Sequence, residues 1–200
     1  MSAFQQSFPF QPSAAVVSSG IGQPGWPKPG CPSLSELLQF TNASHVEAIY
    51  TRSCALFEAL QSGAIDAVRA AYLPEAVLEH PVLGGLHGPE IDQYWATFLK
   101  RTPDFVLDFT ITHVVGSIAV AEWSAAYTFF ETGRPMRLAG LSVLTLQDGL
   151  VKHHEERFDR RAWSYQALGL SGLLISCMPG SRSFLRQEAR RAFGIDAPQT

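Results

Sequence analysis

The chain reads as an α+β domain: helices first, then a long antiparallel meander. Three observations support this. Apolar residues recur at helical spacing from about residue 45 to residue 101. After Pro103 the period drops from 3.6 to 2 and holds to Phe158. Hydrophobic residues make up 46% of the 200, enough for one substantial core. Helical pattern followed by successive strands, with no alternation of the two, points to α+β rather than α/β.

Each element follows from local chemistry. Residues 1–43 form an arm. Pro9, Pro12, Pro24, Pro27, Pro29 and Pro32 remove donors, and Gly20, Gly22, Gly25 and Gly30 raise the entropy that ordering must overcome. Phe4, Phe8, Phe10 and Trp26 can pin the arm to the domain, and the capping box Ser33-Leu-Ser-Glu36 starts one short helix. A second box, Ser44-His-Val-Glu47, starts a longer helix whose apolar positions are Val46, Ile49, Tyr50, Phe57 and Leu60, and Gly63 stops it. A short helix over 65–72 ends at Pro74, and residues 76–80 make a strand closed by Pro81. Gly88-Pro89 opens a third helix, with proline at its favoured first position, running to Arg101.

Strands are expected over 104–114, 118–130, 136–146 and 150–158, with Gln147-Asp148-Gly149 as the last hairpin. Both faces of 136–146 are largely apolar, so one must be covered by something other than the helices; a homodimer is expected. Residues 170–200 form a tail: an apolar run, a Pro179-Gly180 turn, and a helix over 181–193 carrying Arg182, Arg186, Arg190 and Arg191. The tail can cover a pocket mouth, extend a dimer, or touch a membrane surface. Four arginines and one short apolar run are marginal for anchoring, so packing is the favoured reading.

Composition excludes several functions. A net charge of −3 and a pI near 6.0 leave no basic footprint for nucleic acid. Cys31, Cys54 and Cys177 are odd in number and lack metal-binding spacing, which suggests a reducing compartment, no disulfide framework and no thiolate metal site. The N-terminus lacks Lys or Arg before Lys28, and the longest apolar stretch, 167–178, is too short to span a bilayer. The expected location is cytoplasmic.

Four stretches together resemble the nuclear transport factor 2-like superfamily, and within it the SnoaL-like polyketide cyclases, ketosteroid isomerases and limonene epoxide hydrolases. Ala59-Leu-Gln-Ser-Gly-Ala-Ile-Asp66 resembles the bend between the first two helices. Leu73-Pro-Glu-Ala-Val-Leu-Glu-His-Pro81 resembles the first strand, and Gly88-Pro-Glu-Ile91 the start of the third helix. Asp148-Gly-Leu-Val-Lys-His-His-Glu-Glu-Arg-Phe-Asp159 resembles the closing strand, and Gln166-Ala-Leu-Gly169 the family's end. The resemblance covers about residues 45–169, which places a domain at 44–169. It implies a cone-shaped α+β barrel, with a strongly bent, mainly antiparallel sheet around three helices. It also implies an apolar pocket and a dimer on the sheet's outer face.

The stretch Lys-His-His-Glu-Glu-Arg-Phe-Asp, residues 152–159, holds the candidate chemistry. Strand alternation puts Lys152, His154, Glu156 and Phe158 on one face and Val151, His153, Glu155 and Arg157 on the other. In the resembling enzymes the pocket-facing acid stands where Glu156 is. His80 falls where ketosteroid isomerases carry the aspartate that shuttles the proton; a bulge before Pro81 would turn Glu79 inward instead. Histidine titrates near neutrality, and desolvation raises a buried glutamate, so the two can exchange protons with a substrate. His80 is expected as base, with Glu156 and His154 as partner acid or relay. A bound structural histidine is nearly as good a reading of His80.

Departures from the relatives restrict the activity. Leu56 replaces the oxyanion tyrosine of ketosteroid isomerases, and no acid stands near Gly140–Ser142. Trp123-Ser-Ala125 replaces the Arg-x-Asp of limonene epoxide hydrolases. Neither of those two mechanisms is expected. Trp123, Ala125, Tyr127 and Phe129 would form an aromatic wall for a flat apolar ligand, and Trp123, Tyr127, Phe158 and Tyr94 are the substrate-binding candidates. Tyr94, with Trp95 and Phe98 on the same helix, reads more readily as core than as ligand contact, and Asp108 as the wet face of its strand. A His80/His154/Glu156 cluster could ligate zinc, but nothing in the spacing demands it, so neither metal nor cofactor is expected. The expected function is isomerase, cyclase or dehydratase chemistry by proton transfer on an apolar, carbonyl-bearing molecule. A non-catalytic ligand-binding or dimerisation module is the alternative.

Overall fold

The computed structural model describes residues 43–170, 172 and 181–195. The expected arm, its capping box at Ser33 and most of the apolar run after Leu170 lie outside them. The elements are α1 (Ala43–Ser62), α2 (Ile65–Ala70), β1 (Tyr72–His80), β2 (Gly84–His87), α3 (Pro89–Arg101), β3 (Val106–Val115), β4 (Ile118–Phe129), β5 (Arg134–Gln147), β6 (Leu150–Phe158), α4 (Arg160–Leu168) and α5 (Ser181–Ala192). The six strands form one open sheet in the order β2-β1-β6-β5-β4-β3. Every neighbour is antiparallel except the β1–β6 pair.

The core sits between α1, α3 and the concave face of the sheet. Leu56 on α1, Leu78 on β1, Ile111 on β3 and Leu144 on β5 have no exposed surface. Burying a side chain of that size contributes roughly 1.5–3 kcal/mol. Around them Phe98 meets Phe105 and Tyr127 edge-to-face at 5.0 and 5.1 Å. Asp159 caps α4 by accepting from the amides of Arg161 and Ala162.

Several local expectations are corrected. Ser44 lies inside α1, not at its cap. Tyr72 opens β1 rather than closing a helix. Pro74 cannot continue a helix, and the segment pairs with β6, the Val151 amide donating to Ala71 O at 2.8 Å. Pro74 falls where the β1–β6 register shifts, so its missing donor costs the ladder nothing. β2 was not anticipated, because glycine carries no strand periodicity. Helix α4 was not anticipated either. Cys54 is buried and disulfide-bonded, with its partner outside the described residues. A bonded Cys54 goes against the expectation of no disulfide framework and removes the cysteine-based ground for a reducing compartment. Among the described residues, no helix is long and apolar enough to cross a membrane.

Candidate active site

A bulge in β6 decides which of its side chains turn inward. Thr145 pairs with His153 and Leu146 with Val151, so Lys152 is the extra residue. Lys152 therefore leaves the face expected for it and donates to Gln147 Oε1 at 2.9 Å in solvent. Val151 turns inward with Leu146. Beyond the bulge the alternation resumes: His154 and Glu156 point in, while His153, Glu155 and Arg157 lie outside. There Arg157 clasps Glu155. On β1, Glu79 is exposed and His80 buried, so no bulge exchanges the two. Asp108 lies on the wet face of β3.

His80 and Glu156 meet across the cone. Nε2 of His80 stands 3.6 Å from Oε2 of Glu156, and both side chains are more than nine-tenths buried. The turn after β1 brings the Val82 and Leu83 amides onto Nδ1 of His80, each donating at 3.1 Å. A nitrogen that accepts two amide protons cannot carry one itself. The ring proton of His80 therefore sits on Nε2 and points toward Glu156. Tyr94 and Phe158 pack edge-on against the ring at 5.4 and 5.3 Å, which fixes its plane.

Burial sets the protonation states. Desolvation pushes Glu156 up to about 8 and His80 down to about 3. His154, with no exposed surface, is likewise lowered to about 3, chiefly by desolvation, then by His153 and His80. Between about pH 3 and pH 8 the site therefore holds a neutral acid and neutral imidazoles.

His154 is tied into a buried hydrogen-bonded chain. Its Nδ1 is 2.8 Å from the Tyr72 hydroxyl, and its Nε2 is 3.0 Å from Ser142 Oγ. The Trp95 indole donates to the Tyr72 oxygen at 3.2 Å, and the Trp123 indole donates to Ser142 Oγ at 3.0 Å. His154 Nε2 is 4.0 Å from Glu156 Oε1, and Ser142 faces Glu156 directly across the β5–β6 ladder. Gly140 lets Trp123 lie flat against β5. A Cβ there would stand 2.7 Å from the indole and 2.5 Å from the Arg157 carbonyl oxygen.

These elements line a cavity of about 60 Å³. His80 and Glu156 supply its polar edge. The expected ligand contacts Trp123, Tyr127, Phe158 and Tyr94 all line it, and so do Trp95 and Phe98; the three residues from α3 are also buried in the core, as read from the sequence. The C-terminal helix lies over one rim. Phe193, just past α5, packs on Tyr94 at 5.1 Å and on Phe130 at 5.2 Å, and shares a recess with His80. Arg190 on α5 is buried and pairs with Glu90. Among the described residues no three His, Cys, Asp or Glu side chains converge to hold a metal ion.

Tyr72 and Ser142 were missed. One looked like the end of a helix, and the other is a lone serine in an apolar strand. Only the pairing of Ser142 with Glu156 across two strands reveals it.

The pattern of the SnoaL-like domain family matches residues 55–154, half of the chain. The chain belongs to the SnoaL-like family. Solved structures share the fold of this SnoaL-like domain. A candidate SnoaL-like polyketide cyclase from Jannaschia sp. CCS1 is 17% identical, with a TM-score of 0.53 over 60% of this chain and 92% of the other. TerC, crystallised with polyporic acid, is 19% identical, with a TM-score of 0.53 over 60% and 98%. IdmH, a candidate polyketide cyclase from Streptomyces antibioticus, is 20% identical, with a TM-score of 0.51 over 59% and 96%. At these identities the likeness concerns the fold, and the SnoaL-like domain must yield its chemistry from its own residues. No curated protein matches the sequence.

Proposed function

We propose that this SnoaL-like protein moves a proton on a small, apolar, carbonyl-bearing molecule, as an isomerase or cyclase does. Glu156 takes the proton from a carbon next to the carbonyl, and His80 Nε2–H donates to the oxygen where negative charge develops. This exchanges the roles expected from the sequence. The observation that carries the reading is the pair of amides on His80 Nδ1, which makes His80 a donor and leaves Glu156 as the base. The 3.6 Å gap between the two groups is too long for a direct hydrogen bond and leaves an oxygen or C–H bond able to engage both. His154, bonded at both nitrogens, supports the wall without touching substrate. Exposed Leu141 on the outer face of β5 fits the homodimer that the fold suggests.

Hydrogen–deuterium exchange at the α-carbons of cyclohexanone and phenylacetone tests the reading, followed by NMR in D2O. Exchange should rise with pH toward a plateau above about 8, because the base must be ionised. Glu156→Gln and His80→Ala should each lower it about 10²–10⁴-fold. Exchange by both variants at the wild-type rate would exclude the assignment. Leu56, where ketosteroid isomerases carry the oxyanion tyrosine, favours the alternative, a ligand-binding module without chemistry. That reading predicts saturable binding of the same ketones with no exchange above background.

A further inference from the structure

The chain Trp95–Tyr72–His154–Ser142–Trp123 ends in an indole N–H at both ends, and indole nitrogen donates only. Counting protons then decides what the middle can do. The five groups hold five donor protons and share four hydrogen bonds, so one hydroxyl proton is always surplus. If His154 carries its proton on Nε2, it donates to Ser142, Tyr72 donates to Nδ1, and the surplus belongs to Ser142. If His154 carries its proton on Nδ1, Ser142 donates to Nε2 and the surplus belongs to Tyr72.

The two ends of the chain face different surroundings. Ser142 sits opposite Glu156. Tyr72 and Trp95 also wall a second cavity of about 260 Å³, between α2, β1 and α3. A carboxylate at Glu156 calls for a donor from Ser142, whereas a carboxylic acid calls for an acceptor. The first state supplies the donor. In the second, Ser142 has given its proton to Nε2 and keeps a lone pair for the Glu156 O–H.

We propose that Ser142 is a positioning residue for Glu156, and that the neutral Tyr72–His154–Ser142 chain reverses direction when Glu156 gains or loses its proton. Between the two states the system gains one proton, on Glu156, and the imidazole proton changes from Nε2 to Nδ1. His154 is uncharged in both, and the chain keeps all four of its bonds. The other titratable groups around this unit are His80 on β1, Tyr94 on α3, Tyr127 on β4 and His153 on the outer side of β6. The amides on His80 keep it neutral, and burial holds both tyrosines protonated. The positioning role rests on Glu156 being the base; the reversal itself does not need catalysis.

The test is NMR of the full-length protein labelled with ¹⁵N in histidine and ¹³C at glutamate carboxyls, from pH 5 to 10. As the Glu156 carboxyl titrates, the protonated nitrogen of His154 should change from Nδ1 at low pH to Nε2 at high pH. In Glu156→Gln it should hold one tautomer throughout. Ser142→Ala should raise the Glu156 midpoint by about one pH unit, the worth of a lost hydrogen bond to a charged group. A wild-type His154 that keeps one tautomer while Glu156 titrates, or becomes doubly protonated in that range, overturns the reversal. An unmoved midpoint in Ser142→Ala overturns the positioning role. If Ser142→Ala does not fold, wild type and Glu156→Gln still decide. Full ketone exchange by Glu156→Gln would instead remove the proposed function and leave the reversal standing.

Discussion

Replacing the buried acid should change how stability depends on pH. Glu156 binds its proton up to about pH 8 in the folded protein, against an ordinary value of 4.5. Between those values the folded state holds a proton that the unfolded chain has released, so stability falls as pH rises. At about 1.4 kcal/mol per pH unit, the full loss reaches about 5 kcal/mol if the carboxyl stays dry. His80 and His154 act in the opposite sense. Lowered from 6.5 to about 3, they make the unfolded chain the better proton binder, so stability rises with pH through that window. From pH 4.5 to 6.5 two rising contributions oppose one falling one, and above 6.5 only the glutamate remains. Wild type should therefore be most stable near pH 6.5 and lose about 2 kcal/mol by pH 8. Glu156→Gln should be flat over that last interval. Urea unfolding of both proteins at several pH values measures this directly, and parallel curves above pH 6.5 would refute the claim that Glu156 is buried as an acid.

Other substitutions probe the supports of the site. Gly140→Ala should cost about 1–3 kcal/mol and change Trp123 fluorescence, since the new methyl meets both the indole and the Arg157 carbonyl; an unchanged urea midpoint would contradict that packing. His154→Leu strands the Tyr72 and Ser142 hydroxyls and should lower stability by about 2–4 kcal/mol, read by thermal melting. Arg190→Met breaks the buried pair with Glu90. It should cost about 2–3 kcal/mol and speed amide exchange over residues 183–195, whereas unaltered exchange would mean that α5 docks through its apolar side chains alone.

Much of the architecture was legible beforehand because its signals are local. Alternating side chains marked β3 to β6 to within two residues at either end, and Leu150–Phe158 matched the expected strand. Gly88-Pro89 marked the start of α3. The three inward-facing candidates, His80, His154 and Glu156, were named from alternation and resemblance. Which nitrogen of His80 carries the proton was not legible. It depends on two amides that a turn folds back onto one ring nitrogen.

Periodicity, capping and turn chemistry act over a few residues, so the chain alone determines most of its helices and strands and which residues of the last strand share a face. Pairing is another matter. The parallel contact of β1 with β6, the bulge at Lys152 and the serine opposite Glu156 arise between segments up to about eighty residues apart. A one-residue change of register would reverse which side chains line the cavity, and no local pattern specifies that register. The proton states and hydrogen-bond directions of these residues are properties of the assembled sheet, because desolvation and hydrogen-bond direction exist only once distant strands have met.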